Sequence, residues 1–236
     1  MKTILAALAL VSIAFSATAQ TPEHKAPPVQ PFVTAKDVDL LTILPPPPEN
    51  GSAQMQRELA EVLRVQVTRT PEQVARAEAD TEENVWRFAD VIDNPAFTPE
   101  KLPKVNAFFK RVFKSEGAVT GPVKKFYNRP RPFQYSDLVK PAVKPSLSGA
   151  YPSGHTTSGT LAGIVLSNIL PEKRRQIMTR AWDYGHNRLV GGMHFATDIE
   201  AGRISGSIIA QHISHMPEFQ REFDEARAEL RAALGL

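Results

Sequence analysis

Apolar residues in this 236-residue chain recur at three- and four-residue spacing in one segment after another, and nowhere alternate over a strand-length stretch. That periodicity confines the chain to an all-α fold, and the length suits one helical bundle better than two domains. Ser52 is placed to cap a helix carrying Met55, Leu59, Val62 and Leu63 on one stripe. Thr70-Pro71-Glu72-Gln73 reads as cap, first-turn proline and capping-box partner. It predicts a helix that turns Val74, Val85, Phe88, Val91 and Ile92 inward. From about Pro99, the spacing of Leu102, Val105, Phe108, Phe109, Val112 and Phe113 predicts another helix, with Gly117 and Gly121-Pro122 expected to interrupt it. Lys124 to Tyr127 would form a further turn ending before Pro130 and Pro132. Thr156 to Leu170 reads as a buried helix rich in small residues. Pro171 opens a helix reaching about Val190, where Gly191-Gly192 stops it. A helix through Asp198, Ala201, Ile208 and Ile209 and a last one from Pro217 complete the series.

The ends carry different information. Lys2, the apolar run Ile4 to Phe15, and Ala17-Thr18-Ala19 predict a signal peptide over residues 1–19, cleaved near Ala19, which implies a periplasmic or secreted protein. Residues 20–50 form a proline-rich N-terminal arm, extended through Pro45 to Pro48, and residues 51–236 the helical domain. No stretch of the mature chain is long and apolar enough to be a membrane span. With 28 basic and 25 acidic residues the formal net charge is +3, and loss of Lys2 makes it about +2. Such a balance implies no nucleic-acid partner and is compatible with a homo-oligomer. The chain has no cysteine, which removes disulfides, thiol nucleophiles and thiolate metal sites together.

Three short segments concentrate the chemistry. Lys124 with Arg131 and Pro132 comes first, then Pro152-Ser153-Gly154-His155, then Arg188 with His194 and Asp198. Arginine offers a planar fork of donors that fits phosphate oxygens in pairs, and lysine adds a mobile charge, so Lys124, Arg131 and Arg188 suit a phosphate held from several sides. Imidazole acts as nucleophile, base or acid near neutrality, and two are available. Asp198, four residues after His194, falls on the same face one helical turn away and can hold one ring nitrogen protonated. His194 is therefore the candidate nucleophile and His155 the candidate acid. If a helix starts at Gly154, its free N–H groups face the same anion.

The pattern K-x6-R-P at Lys124 to Pro132, P-S-G-H at Pro152 to His155, and R-x5-H-x3-D at Arg188 to Asp198 resembles the signature of the phosphatidic-acid-phosphatase type 2 superfamily. Leu44-Pro45-Pro46-Pro47-Pro48, Tyr151 and the tail beginning Pro217-Glu218-Phe219 bring it nearest to the class A bacterial nonspecific acid phosphatases. The resemblance implies a helical bundle of the acid phosphatase/vanadium haloperoxidase type. It implies a metal-independent phosphatase of broad specificity for small phosphorylated substrates, working through a phosphohistidine on His194, with no cofactor. His155 would serve as acid and Asp198 would orient His194, while Lys124, Arg131, Ser153, Gly154, Arg188 and Asn187 would bind phosphate. Asn187 stands where the family usually has serine, and its amide donates with a longer reach. A vanadium-dependent haloperoxidase, a lipid-phosphate phosphatase and a nonenzymatic phosphate-binding module are the alternatives.

Other polar residues read more plainly. His212 and His215, three apart, fit solvated positions better than a metal pair, and His24 in the arm has no assigned role. His186 is balanced between bordering the pocket and having no role there. Lys125 and Arg129 fall off the motif and read as solvated charges. Phe133 and Tyr151 read as pocket wall or core.

Overall fold

The computed structural model describes residues 28–236, so the expected signal peptide, the first part of the arm and His24 lie outside the described residues. The chain forms α1 (Leu40–Ile43), α2 (Ala53–Thr68), α3 (Pro71–Ala79), α4 (Ala89–Ile92) and α5 (Pro103–Tyr127). These are followed by α6 (Pro132–Tyr135), α7 (Gly154–Ile169), α8 (Arg174–Val190), α9 (Ala196–Ile213) and α10 (Pro217–Leu234). No strand occurs among the described residues, and the all-α expectation holds. Ser52 and Thr70 cap α2 and α3 as their side chains predict, and Thr70 completes a capping box with Gln73.

α7 is the hub, packed chiefly between α8 and α9, with α5 and α10 closing the bundle. Its composition explains the position, because nearly every side chain from Gly154 to Ile169 is buried and most are small. At Gly202 and Gly206 on α9 an added Cβ would lie 2.7 Å from the carbonyl oxygens of Ser153 and Thr157. Glycine thus sets how closely α9 approaches the start of α7. A second apolar cluster, including Met55, Val62, Val65, Val139, Val143, Leu189, Met193 and Phe195, ties α2 to the end of α8 and the connection into α9.

Three details differ from the sequence reading. α5 runs unbroken through Gly117, Gly121 and Pro122. Proline at 122 cannot donate to the Ala118 carbonyl, and the Ala35 N–H from the arm donates to it instead, at 3.2 Å. Beyond α3, the expected long helix breaks at Asp80 and resumes as a 3₁₀ turn at Val85–Phe88 before α4. The break has a partner set, since Asp80 is fully buried and receives donors from Arg180, Arg87 and Asn187. The arm, finally, includes the single turn α1, and Phe32, Val33, Val38, Leu40 and Leu44 join the main core. Tyr151 Oη donates to the Pro45 carbonyl at 2.5 Å, which anchors the polyproline stretch on the body.

Candidate active site

One cavity of about 210 Å³ collects the sequence motifs: Lys124 and Arg131, Gly154 and His155, and Arg188 and His194 all line it. Each arrives from a different local structure. Lys124 projects from the last turn of α5, and the chain then turns through Asn128, whose φ is 39°, into Arg129 and Pro130. Arg131 caps the short α6. Arg188 sits in the last turn of α8, near the helix end that favours a cation. Ser153 is the N-cap of α7, with its Oγ accepting from the Thr156 N–H. Gly154 and His155 therefore occupy the first turn, where N–H groups have no intrahelical acceptor. A Cβ on residue 154 would fall 2.8 Å from Glu116 Oε1, so any side chain there would push the Glu116 carboxyl aside.

His194 precedes α9 rather than lying on it, and its approach to Asp198 comes from a helix cap. Asp198 Oδ2 accepts the Phe195 N–H at 2.8 Å, and the His194 Nδ1 stands 3.5 Å from the same oxygen. The two side chains do approach each other, but through this cap rather than through spacing along one helix. His194 Nε2 lies 2.9 Å from Arg131 Nη1. A guanidinium only donates, so Nε2 is the unprotonated nitrogen and the ring proton sits on Nδ1, toward Asp198. Burial, followed by Arg131 and Lys124, holds His194 well below the usual histidine range, which keeps the ring neutral.

The cations differ in what they already bond. Arg131 donates to the Ser148 and Met193 carbonyls at 2.9 and 3.1 Å and to Ser148 Oγ at 3.1 Å, and Lys124 donates to the Pro152 carbonyl. Arg188 is 3% exposed, and its Nε and Nη1 are buried with no hydrogen-bond partner among the described residues. Burial and mutual repulsion push Lys124 down to about 8 and Arg131 down to about 10, and burial lowers Arg188. Buried cations crowded on one cavity, with donors to spare, have the chemistry to hold an anion.

Two expected phosphate ligands, Asn187 and Ser153, do not line this cavity. Asn187 is buried, but its amide donates to Asp80 Oδ2 at 2.7 Å and does not line the cavity. The Ser153 Oγ accepts from the Thr156 N–H and hydroxyl in capping α7 and keeps its own O–H as a donor. His186, His212 and His215 are exposed. Arg129 reverses the expectation of a solvated charge: it is 4% exposed, bonding Asp198 Oδ1 at 2.5 Å, Glu58 Oε2 at 2.9 Å and Thr197 Oγ1 at 2.7 Å. It is the cation that holds the carboxylate beside His194. Sequence reasoning also missed Glu83 and Glu116, both lining the cavity. Glu116 accepts from Thr120 Oγ1 at 2.6 Å, and burial raises its carboxyl. Among the described residues, no group of three or more His, Cys, Asp or Glu side chains is placed to hold a metal ion.

The PAP2 superfamily profile matches residues 112–222, which span all three motif segments. A non-specific acid phosphatase of Providencia stuartii is 31% identical over 202 residues, covering 81% of each chain. Its counterpart in Salmonella typhimurium is 29% identical over 211 residues, covering 86% of this chain and 84% of the relative. Among solved structures, a bacterial vanadium-dependent iodoperoxidase superposes with a TM-score of 0.55 at 20% identity, over 72% of this chain and 52% of its own. A transmembrane PAP2-type phosphatidylglycerolphosphate phosphatase from Bacillus subtilis gives 0.53 at 18% identity, over 78% of this chain and 97% of its own, and both share the fold. With these relatives spanning most of its length, the chain belongs to the PAP2 superfamily, in the class A nonspecific acid phosphatase branch.

Proposed function

We propose that this protein is a periplasmic acid phosphatase that hydrolyses small phosphate monoesters with broad specificity, without a metal, through a phosphohistidine on His194. The observation that carries the reading is Arg188, a buried guanidinium with unpartnered donors, on one cavity with Lys124, Arg131 and two histidines. The relatives named acid phosphatases support the reaction class. The leader-like residues 1–19 support the location, and no helix among the described residues is long and apolar enough to cross a membrane.

The ester's phosphoryl oxygens take the donors of Arg188, Lys124 and Arg131 and the first-turn N–H groups of α7. As Arg131 turns to the phosphate it frees the His194 Nε2 lone pair. Nε2 then attacks phosphorus in line with the ester oxygen, and the P–O bond breaks as the leaving oxygen takes a proton from the His155 side of the cavity. The proton stays on Nδ1, and the Asp198 carboxylate, held by Arg129 beside it, stabilises the positive charge that develops on the ring. Water, deprotonated on the His155 side, attacks the phosphohistidine, and the P–N bond breaks to release phosphate and restore neutral His194. Ser153 acts by fixing the first turn of α7, and Asn187 by fixing Asp80.

Hydrolysis of an aryl phosphate should survive excess chelator, and vanadate should inhibit competitively as a mimic of the transition state. Rapid quench should trap an acid-labile phosphoenzyme in the wild type and none in His194→Ala. Label retained in His194→Ala would refute the nucleophile, and loss of activity on chelation with recovery on adding a divalent metal would refute metal independence.

A further inference from the structure

We propose that the acid of this site is a carboxyl–imidazole pair, Glu83 with His155, which holds one proton between Glu83 Oε1 and His155 Nδ1 and delivers it to the leaving oxygen. The inference rests on the phosphatase reading above. His155 Nε2 lies 3.0 Å from the Thr81 carbonyl. A carbonyl only accepts, so Nε2 carries a hydrogen and donates it there, and the ring's exchangeable position is Nδ1. Glu83 Oε1 stands 3.2 Å from Nδ1, and both residues line the cavity.

The pair is built into a fixed segment. Thr81 and Glu83 belong to the turn that follows α3. Arg180 grips Asp80 through two bonds of 3.0 and 2.5 Å, joined by Arg87 and Asn187, while Tyr184 Oη donates to the Glu82 carbonyl at 2.6 Å. Asn187, which has no place in the cavity, thereby helps hold the carboxyl against the imidazole. The groups facing Glu83 are Glu116 and Lys124 from α5, Ser158 from α7 and Arg188 from α8, and those facing His155 are Arg188, Lys124 and Arg131. Burial and Glu116 push Glu83 up to about 7 against Arg188 and Lys124. Burial and Arg188 push His155 down to about 3. In mild acid the shared proton therefore resides on the carboxyl and is hydrogen-bonded to Nδ1.

The step balances. As His194 Nε2 bonds to phosphorus and the ester P–O bond breaks, the leaving oxygen takes the shared proton, leaving a Glu83 carboxylate and neutral His155. In the second half, water returns one proton to the pair as its oxygen bonds to phosphorus and the P–N bond breaks.

The test is Glu83→Gln, assayed as kcat/KM from about pH 4 to pH 9 with an alkyl phosphate and with 4-nitrophenyl phosphate. An amide has no proton to lose and no charge to favour imidazolium. The alkyl ester should lose at least about tenfold and its alkaline limb should move to lower pH, while the nitrophenyl ester, whose anion departs unprotonated, changes by less than about threefold. Vanadate inhibition should persist in the variant. An unchanged alkyl profile, or equal losses on both esters, overturns the proposal. Infrared difference spectra of wild type minus Glu83→Gln supply a readout without turnover: a protonated-carboxyl band should be present in mild acid and fade as pH rises through about 7. Absence of that band in mild acid also overturns the pair, whereas a wild type that hydrolyses neither ester refutes the phosphatase reading alone.

Discussion

Arg129 joins two carboxylates from distant parts of the chain, Glu58 on α2 and Asp198 on α9, with all three side chains buried. Its guanidinium also lies over the Phe195 ring at 4.7 Å. Removing one partner of such a network strands the others, so Arg129→Met should cost about 3–5 kcal/mol in urea denaturation and sharply lower kcat through the loosened Asp198. A cost below about 1 kcal/mol would show that the network is not structural. Asn187→Ser restores the usual family residue, but with a side chain too short to keep the Asp80 bond. It should cost about 1–3 kcal/mol while vanadate inhibition changes by less than about threefold. A large loss of vanadate affinity would return Asn187 to the phosphate shell. That Lys124, Arg131, His155, Arg188 and His194 would meet on one cavity was legible because of their residue types and order. Arg129 and Glu83 were not, because a charge is buried or solvated according to partners that no local spacing reveals: Glu58 stands 71 positions from Arg129.

The approach of α9 to α7 positions two motifs at once. Gly202 lies against Ser153 and Thr156 at the start of α7, and Gly206 one turn further along, against Thr157 and Thr160. An added methyl at either place must push backbone from backbone, and overpacking of this kind costs about 1–3 kcal/mol. Gly202→Ala should in addition displace Gly154 and His155 from His194. Both variants should therefore lose comparable stability by denaturant unfolding, while kcat/KM falls much further in Gly202→Ala. Equal activity losses would show that the seam acts as a single unit. The many small residues from Thr156 to Leu170 made close packing on α7 readable in advance. The continuous α5 was not readable, because proline's missing donor is compensated by Ala35, far off in sequence, and the break after α3 was hidden because Asp80 finds its donors on α8.

Across the whole molecule, the site is assembled at the expense of stability. His194 and His155 are held below the ordinary histidine range, so between about pH 6.5 and their folded values the unfolded chain binds protons that the folded chain refuses, and stability falls as pH falls. Glu83, raised to about 7 from 4.5, has the opposite sign: its contribution is present below 4.5 and lost as pH rises toward 7. Glu116 and Asp198, also raised by burial, share the sign of Glu83, so the histidine contribution is isolated by comparison. As pH falls below about 6.5, urea unfolding should show His194→Gln losing less stability than the wild type. Arg188 makes the same point for charge. It is buried beside Lys124 and Arg131 with donors unpartnered, so in the phosphate-free protein its desolvation cost is offset only in part, by Glu83 and Asp80. Among the described residues Arg188 makes no ion pair within salt-bridge distance, so removing its guanidinium strands no partner and relieves its desolvation, and Arg188→Met should melt at or above the wild-type temperature in phosphate-free buffer. Inorganic phosphate at about a hundred times its Kd should stabilise wild type by about 2.7 kcal/mol, a rise of roughly 5–10 °C for a domain of this size. Arg188→Met should show almost none of that rise, and its turnover should collapse. If the variant melts well below wild type without phosphate, or keeps the phosphate-dependent shift, Arg188 is a structural cation and the anion is held elsewhere.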